Sequence, residues 1–301
     1  MKVLINSNIY LKAEDVNANR DLKTMIRKKY SFRNSKSFKD KIDFRTIFTK
    51  VEKNGKEYYV LPPNLQYFMD EIVVEFPDID FQISDKRVAP EVCNFSSNIT
   101  PRENQIPILE DIKNSGYNAI VAATTGFGKT TCSLYITEIL KTNMLFIASR
   151  TSLIQNLLKD VNQFGIDLND VCEINAEWLK NPIIKPVMYA TIQALSDEIL
   201  KELFDKVGLL VADEIHLGIG GLENVERLFS INPKYRLYLS ATYKNLNYIG
   251  LNEALLSSTI ITSEENISHN IEVDCYHIQR DRSMLNEYKS EHTSYGKKQI
   301  I

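Results

Sequence analysis

Apolar residues follow two different rhythms before and after residue 100. In the first part they alternate, or recur every third or fourth place, over short stretches. The β-rich run 3–11 predicts a strand, and Leu22, Met25 and Ile26 predict a helix with Asp15 or Asn17 as its cap. Runs 44–51 and 58–61 predict two strands joined by Asn54-Gly55, a pair that tolerates the positive φ of a tight hairpin. Pro62-Pro63 stops that hairpin and opens a helix whose Leu65, Phe68, Met69, Ile72 and Val73 share one face, and run 79–83 closes as a strand. This order suggests a small two-layer α+β domain over residues 1–86. Residues 87–100, with Pro90 and several Ser and Asn, read as a surface linker. From there to residue 270 the apolar runs become nearly continuous, at 119–123, 144–148, 187–191, 209–213 and 237–241, with helical patterns between them. Strands buried on both faces have that character, so the expected class is α/β, a parallel sheet with helices on both faces and right-handed crossovers.

Composition adds little to this picture except along the chain. The 301 residues are 44% hydrophobic and 25% charged, as in an ordinary globular protein. No apolar run approaches the roughly 20 residues that span a bilayer, and the first residues lack the apolar block of a secretion signal. The expected home is the cytoplasm, with no membrane partner. Cys93, Cys132, Cys172 and Cys275 have no paired spacing, which suggests neither a zinc knuckle nor a disulfide framework. The net charge of −3 conceals an asymmetry: residues 1–53 hold 14 Lys and Arg against 6 Asp and Glu, whereas residues 54–100 hold 3 against 8. The first stretch is the basic one.

Candidate chemistry begins where run 119–123 enters Thr124-Thr125-Gly126-Phe127-Gly128-Lys129-Thr130, followed by a helix from Thr131. Glycines here let backbone N–H groups turn around phosphate oxygens, and the helix N-terminus favours the anion. In this pattern Lys129 reaches β- and γ-phosphates and the Thr130 hydroxyl ligates Mg²⁺. Ala123 stands where the strict pattern has its first glycine, and a glycine-bearing turn ending in Lys-Thr would read the same by itself. Downstream, an apolar strand ends in Asp213-Glu214-Ile215-His216. Ligands in open α/β sheets sit beyond the strand ends, so loop and acids should converge there. Asp213 then holds Mg²⁺, directly or through water, and Glu214 orients and deprotonates an attacking water. Ser240-Ala241-Thr242 ends the next buried strand at the same edge, in reach of His216.

In this order and at these separations, the phosphate loop, the Asp-Glu-Ile-His tetrad and the Ser-Ala-Thr triplet resemble a superfamily 2 helicase. The resemblance covers about residues 100–278 and implies a RecA-like P-loop NTPase domain that binds ATP and Mg²⁺. It implies ATP contacts from Arg102, Gln105, Thr125, Gly126, Phe127, Gly128, Lys129, Thr130 and Thr131. It gives catalytic roles to Glu214, Lys129 and His216, and coupling roles to Ser240, Ala241 and Thr242. Gln105 would read the adenine edge. The family's usual aromatic before it is Asn104 here, with Phe95 as the substitute stacking ring. Arg150, Thr151 and Ser152 resemble the family's first nucleic-acid contact, and Thr191 and Gln193 a later one. From the residues alone, Ser149 or Thr151 can equally serve as N-caps. No arginine-rich Gln-x-x-Gly-Arg-x-x-Arg string follows, so residues 271–301 read as the start of an absent second motor domain. Without arginine fingers, worth about 10³ to 10⁵ in rate, hydrolysis by this chain should be weak.

Within the superfamily, the domain order and the basic stretch 23–41 most resemble phage UvsW-like helicases of forks, Holliday junctions and D-loops. That stretch interleaves Lys28, Lys29 and Arg33 with Tyr30, Phe32 and Phe38, a mixture suited to phosphate neutralisation and base stacking. The resemblance implies DNA as partner, single- or double-stranded at junctions, together with replication or recombination proteins. An RNA helicase, a restriction or remodelling motor, and a nucleotide-regulated DNA-binding module without turnover share these motifs.

Overall fold

In the computed structural model of the chain, the described residues are 1–33, 44–92, 95–214, 227–241 and 255–263, with backbone only at 32–33 and 44–46. Two sheets organise them. The first is mixed, with its strands in the order 49–53, 56–61, 9–12, 2–5 and 82–85. Strands β1 (Lys2–Ile5) and β2 (Ile9–Lys12) form an antiparallel hairpin with Val3 opposite Leu11. The expected single strand over 3–11 is therefore split, because Asn6, Ser7 and Asn8 form a turn in which Asn6 Oδ1 accepts from Asn8 N–H at 3.2 Å. Helices α1 (Ala13–Ala18) and α2 (Arg20–Lys29) follow. Neither Asp15 nor Asn17 is the cap: the break falls at Asn19, whose side chain accepts from Leu22 N–H at 2.9 Å. Strands β3 (Ser31–Arg33) and β4 (Phe44–Thr46) pair with each other.

Strands β5 (Thr49–Lys53) and β6 (Lys56–Leu61) form the expected hairpin, with Asn54 at φ 52° and Gly55 at φ 69°. Helix α3 (Leu65–Tyr67), capped by Asn64, runs into a π-helical turn (Phe68–Val73) that buries Phe68 and Ile72. Strand β7 (Gln82–Asp85) pairs in parallel with β1 and lies a few residues later than run 79–83. Val3, Ile5, Leu11, Leu22, Ile26, Tyr59, Leu61 and Phe68 pack into the core of this region.

The second sheet has seven strands, all parallel, in the order 171–173, 187–191, 144–148, 209–212, 235–240, 118–122 and 260–262. The segment from 86 crosses to it, with Val88 bridging Pro233 and Glu91 bridging Thr142. Helix α4 (Ile106–Asn114) precedes β8 (Asn118–Ala122), then come α5 (Lys129–Leu140), β9 (Met144–Ala148), α6 (Thr151–Gln163) and β10 (Val171–Glu173). Strand β11 (Val187–Thr191), α7 (Asp197–Leu203), β12 (Leu209–Ala212), β13 (Tyr235–Ser240) and β14 (Ile260–Thr262) complete the order. Helices α4, α5 and α6 bury Ile108, Leu134 and Leu157 on one face of the sheet. Helix α7 and the segment 228–231 cover the other with Ile199, Leu203, Leu228 and Ile231. A doubly covered parallel sheet is what the continuous apolar runs demand. Residues Met1–Glu265 form one compact unit. Among the described residues no helix is long and apolar enough to cross a membrane.

Candidate functional site

The chain leaves β8 through Ala123, whose N–H donates to Ser240 O at the end of β13 (3.1 Å). It then turns through two positive-φ glycines, Gly126 at 85° and Gly128 at 90°, before α5 begins at Lys129. Lys129 Nζ donates back to the carbonyls of Ala123 (2.7 Å) and Thr124 (3.2 Å), so the ammonium is held inside the loop. Strand β13 lies between β8 and β12, and beyond the end of β12 stand Asp213 and Glu214. Loop and acids line one cleft of about 570 Å³, which Thr100, Arg102, Gln105, Thr125, Thr130 and Thr131 also line. The convergence required by the sequence reading is thus present.

Electrostatics sharpen the picture. Burial lowers the Lys129 pKa, while Glu214 and Asp213 oppose that shift. The Asp213 carboxyl is pushed up to about 6, first by burial and then by the charge of Glu214, against the pull of Lys129 and the Glu214 N–H. Asp213 is only 8% exposed. A cation and two carboxylates facing one space suit a magnesium triphosphate: the ammonium meets phosphate oxygens and the acids meet the metal. Among the described residues no group of three or more His, Cys, Asp or Glu could hold a metal by itself.

Gln105 and Arg102 clasp the loop from outside. Gln105 is buried; its Oε1 accepts from Arg102 N–H (2.9 Å) and its Nε2 donates to Phe127 O (2.8 Å). Arg102 Nη2 donates to Gly126 O at 3.3 Å and also to Phe127 O. A Cβ added at Gly128 would lie 2.6 Å from Gln105 Nε2 and 2.9 Å from Arg102 Nη2, on backbone that L-residues avoid. Gly128→Ala should therefore destabilise the fold by at least about 1 kcal/mol and weaken Mg-nucleotide binding. An unchanged melting midpoint together with unchanged binding heat would show that the clasp does not matter.

Residues 98–245 match the family model of the type III restriction enzyme res subunit. The loop, the acids and Ser240 stand at one edge of a seven-stranded parallel sheet, a RecA-like arrangement. Residues 98–245, just under half of the chain, carry the resemblance to superfamily 2 helicases. Its fold is shared with the UvsW helicase of bacteriophage T4. One UvsW structure matches with a TM-score of 0.59 at 16% identity, covering 87% of this chain and 100% of that one. A longer UvsW structure gives 0.60 at 16% identity, covering 88% of this chain and 57% of that one. At such identity the likeness is one of fold. No curated protein sequence matches this chain.

The nucleic-acid candidates fall in two places. Ala148 of β9 pairs with Thr191 of β11, so Arg150, Thr151, Ser152, Thr191 and Gln193 gather at adjacent strand ends. Arg150 is the N-cap residue of α6 without a side-chain capping bond, so neither Ser149 nor Thr151 takes the capping role left open by sequence. Arg150, Thr151, Ser152 and Gln193 are exposed. In the N-terminal region Lys28 is exposed on α2, whereas Lys29 is paired with Glu71. Only the backbone of Arg33 is described.

Two aromatic expectations need correction. Tyr30 is fully buried and packs edge-on against Tyr67, with ring centroids 5.6 Å apart, so it offers no face to a base. Phe95 lies in the sheet core and cannot stack on adenine. The Phe127 ring is buried in the same core, leaving only its backbone to the loop. His216, Thr242, Phe38 and residues 271–301 lie outside the described residues, as does the Phe32 side chain. The sequence reading missed the far wall of the cleft. There α6 presents Leu153, Asn156, Asp160 and Gln163, followed by Phe164. Their spacing of three, four and three is a helical stripe that the sequence already contained.

Proposed function

We propose that this chain is the ATP-binding half of a DNA helicase or translocase that acts on branched DNA in phage-type replication, recombination or repair. The observation that carries this reading is the shared cleft of Lys129, Asp213 and Glu214 at the strand ends. Residues 1–86 serve as a DNA-docking domain and residues 101–270 as the first motor domain, joined by 87–100. The UvsW likeness covers more of the chain than residues 98–301 alone can supply, which supports including the N-terminal sheet in the comparison. UvsW is itself named a helicase.

In this mechanism Lys129 and the backbone N–H groups of Thr125 to Thr131 hold the triphosphate. Thr130 and Asp213 hold Mg²⁺, which supplies charge neutralisation on phosphate oxygens when bound. Glu214 orients the attacking water and takes its proton. Gln105 and Arg102 link the nucleoside end to the loop. Through the Ala123–Ser240 hydrogen bond, Ser240 and Ala241 pass the state of the loop to β13. Arg150, Thr151, Ser152, Thr191 and Gln193 grip the backbone of the nucleic acid at the neighbouring strand ends, with weak sequence preference and strong salt dependence.

Glu214→Gln should lower nucleic-acid-stimulated ATP turnover by about 10²- to 10⁴-fold while Mg-ATP affinity changes little, because the amide keeps the shape and loses the base. The matched family model, a restriction enzyme subunit, favours a restriction motor as second reading. A turnover panel with forked DNA, blunt duplex and single-stranded RNA separates the two. Stimulation by RNA or by blunt duplex without stimulation by forks would rule out the branched-DNA role.

A further inference from the structure

The charged residues that line the cleft are Arg102, Lys129, Asp160, Asp213 and Glu214. Four have been accounted for: Lys129, Asp213 and Glu214 at the phosphate and metal end, and Arg102 committed to the carbonyls of Gly126 and Phe127. Asp160 has not. It lies on the cleft side of α6, partly buried, and its Oδ2 accepts from the Thr131 hydroxyl at 2.8 Å. Among the described residues it has no ion-pair partner, and burial pushes its carboxyl pKa upward while the Thr131 bond opposes the shift.

A carboxylate in a triphosphate cleft repels phosphate oxygens, so it is tolerable only where the ligand is uncharged and offers hydrogen-bond donors. Distance along the chain sets which donors these are. Thr131, which anchors Asp160, sits two residues after Lys129 in the first turn of α5, and its Oγ1 lies 3.6 Å from a Cβ placed on Gly128. The group one step beyond the α-phosphate is the ribose. Its vicinal hydroxyls are donors, and a carboxylate oriented through one oxygen keeps the other for them.

We propose that Asp160 is a specificity-determining residue that accepts hydrogen bonds from the ribose hydroxyls of the bound nucleotide, giving this helicase a preference for ribonucleotides over deoxyribonucleotides. The inference rests on the nucleotide-binding reading above. Asn156 and Gln163, one turn to either side on α6, flank the same position with neutral polar groups.

The test is calorimetric titration of the full chain, wild type and Asp160→Asn, with the magnesium complexes of ATP, 2′-deoxy-ATP, 3′-deoxy-ATP and ITP. Hydrogen bonds to a charged group predict that the wild type binds ATP about 10- to 100-fold more tightly than at least one deoxy analogue. In Asp160→Asn that ratio should fall toward one, through weaker ATP binding and unchanged binding of the analogue that lacks the bonded hydroxyl. If the asparagine amide itself accepts from a hydroxyl and keeps the ratio, Asp160→Ala should bring it toward one. Equal ratios in wild type and variants overturn the proposal, and so does a lowered melting midpoint with an intact ratio, the mark of a merely structural bond to Thr131. A large loss with ITP and none with the deoxy analogues overturns the ribose assignment in favour of the base. If the wild type binds no nucleotide, the nucleotide-binding reading fails as well, whereas tight ATP binding with an unmoved ratio defeats only the role of Asp160.

Discussion

Lys129→Ala should reduce the Mg-ATP affinity of this chain by roughly 30-fold or more, because removing one partner of a desolvated charge pair costs about 2–5 kcal/mol. The geometry makes the loss larger than the loss of a contact. Asp213 and Glu214 line the same cleft as Lys129 and oppose the lowering of its pKa by burial. With the ammonium gone, two carboxylates face the triphosphate with no cation between them but the metal. The fold itself should survive. Among the described residues the Lys129 ammonium donates to the carbonyls of Ala123 and Thr124, and alanine removes an expensive buried charge together with those bonds. The expected pattern is a binding heat that vanishes while the melting midpoint of the nucleotide-free protein shifts by a few degrees at most. Wild-type binding heat from the variant would move the nucleotide elsewhere on the protein, and the functional reading would go with it.

The parts of this architecture that were legible in sequence are those where local pattern and tertiary environment impose the same demand. Runs 144–148 and 187–191 coincide with β9 and β11, and the runs for β8, β12 and β13 differ from them by only one or two residues. Central strands must be apolar on both faces, and few other segments are. The edge strands Val171–Glu173 and Ile260–Thr262 escaped notice because three residues hold no period; their neighbours β11 and β8 hold them in place. Asn54-Gly55 was readable because positive φ restricts residue type, whereas the turn at Asn6 to Asn8 uses ordinary polar residues inside a β-rich run.

The site followed the same division. Lys129, Thr130, Asp213 and Glu214 could be found from spacing because a strand-to-helix loop and a strand end have sequence signatures. Tyr30, Phe95 and Phe127 could not be placed. A ring beside charges or glycines has the same neighbours in sequence whether it faces solvent or the core, and here all three face the core. Asp160 was hidden for the opposite reason. Its stripe on α6 reads as the solvated side of an amphipathic helix, and only the packing of α6 beside α5 turns that side toward the cleft.

Asp213→Asn should stabilise the metal-free protein at neutral pH and abolish its response to Mg-ATP, two effects of opposite sign from one atom pair. The Asp213 carboxyl has its pKa raised from 3.8 to about 6 in the folded state, so folding favours the protonated form. Its stabilising contribution is complete below about pH 4 and is lost as pH rises through about 6, leaving at pH 7.5 a cost on the order of 3 kcal/mol. Asparagine removes the charge and keeps the Oδ1 that accepts the Glu214 N–H at 2.9 Å. Each kcal/mol recovered raises the melting midpoint by about 2–4 °C in a domain of this size. At pH 5 the wild type is largely protonated at this site, and the advantage of the variant should shrink. Glu214 adds a second cost at the same strand end, since its φ of 50° lies in the left-handed region and costs a non-glycine residue about 1–2 kcal/mol. Melting curves at pH 7.5 and 5, with and without Mg-ATP, check both signs. A midpoint below wild type for Asp213→Asn at pH 7.5 without metal would show that the carboxylate supports the fold. A higher midpoint, with no further rise on adding Mg-ATP, identifies a group kept charged and buried at the expense of stability because the metal needs it there.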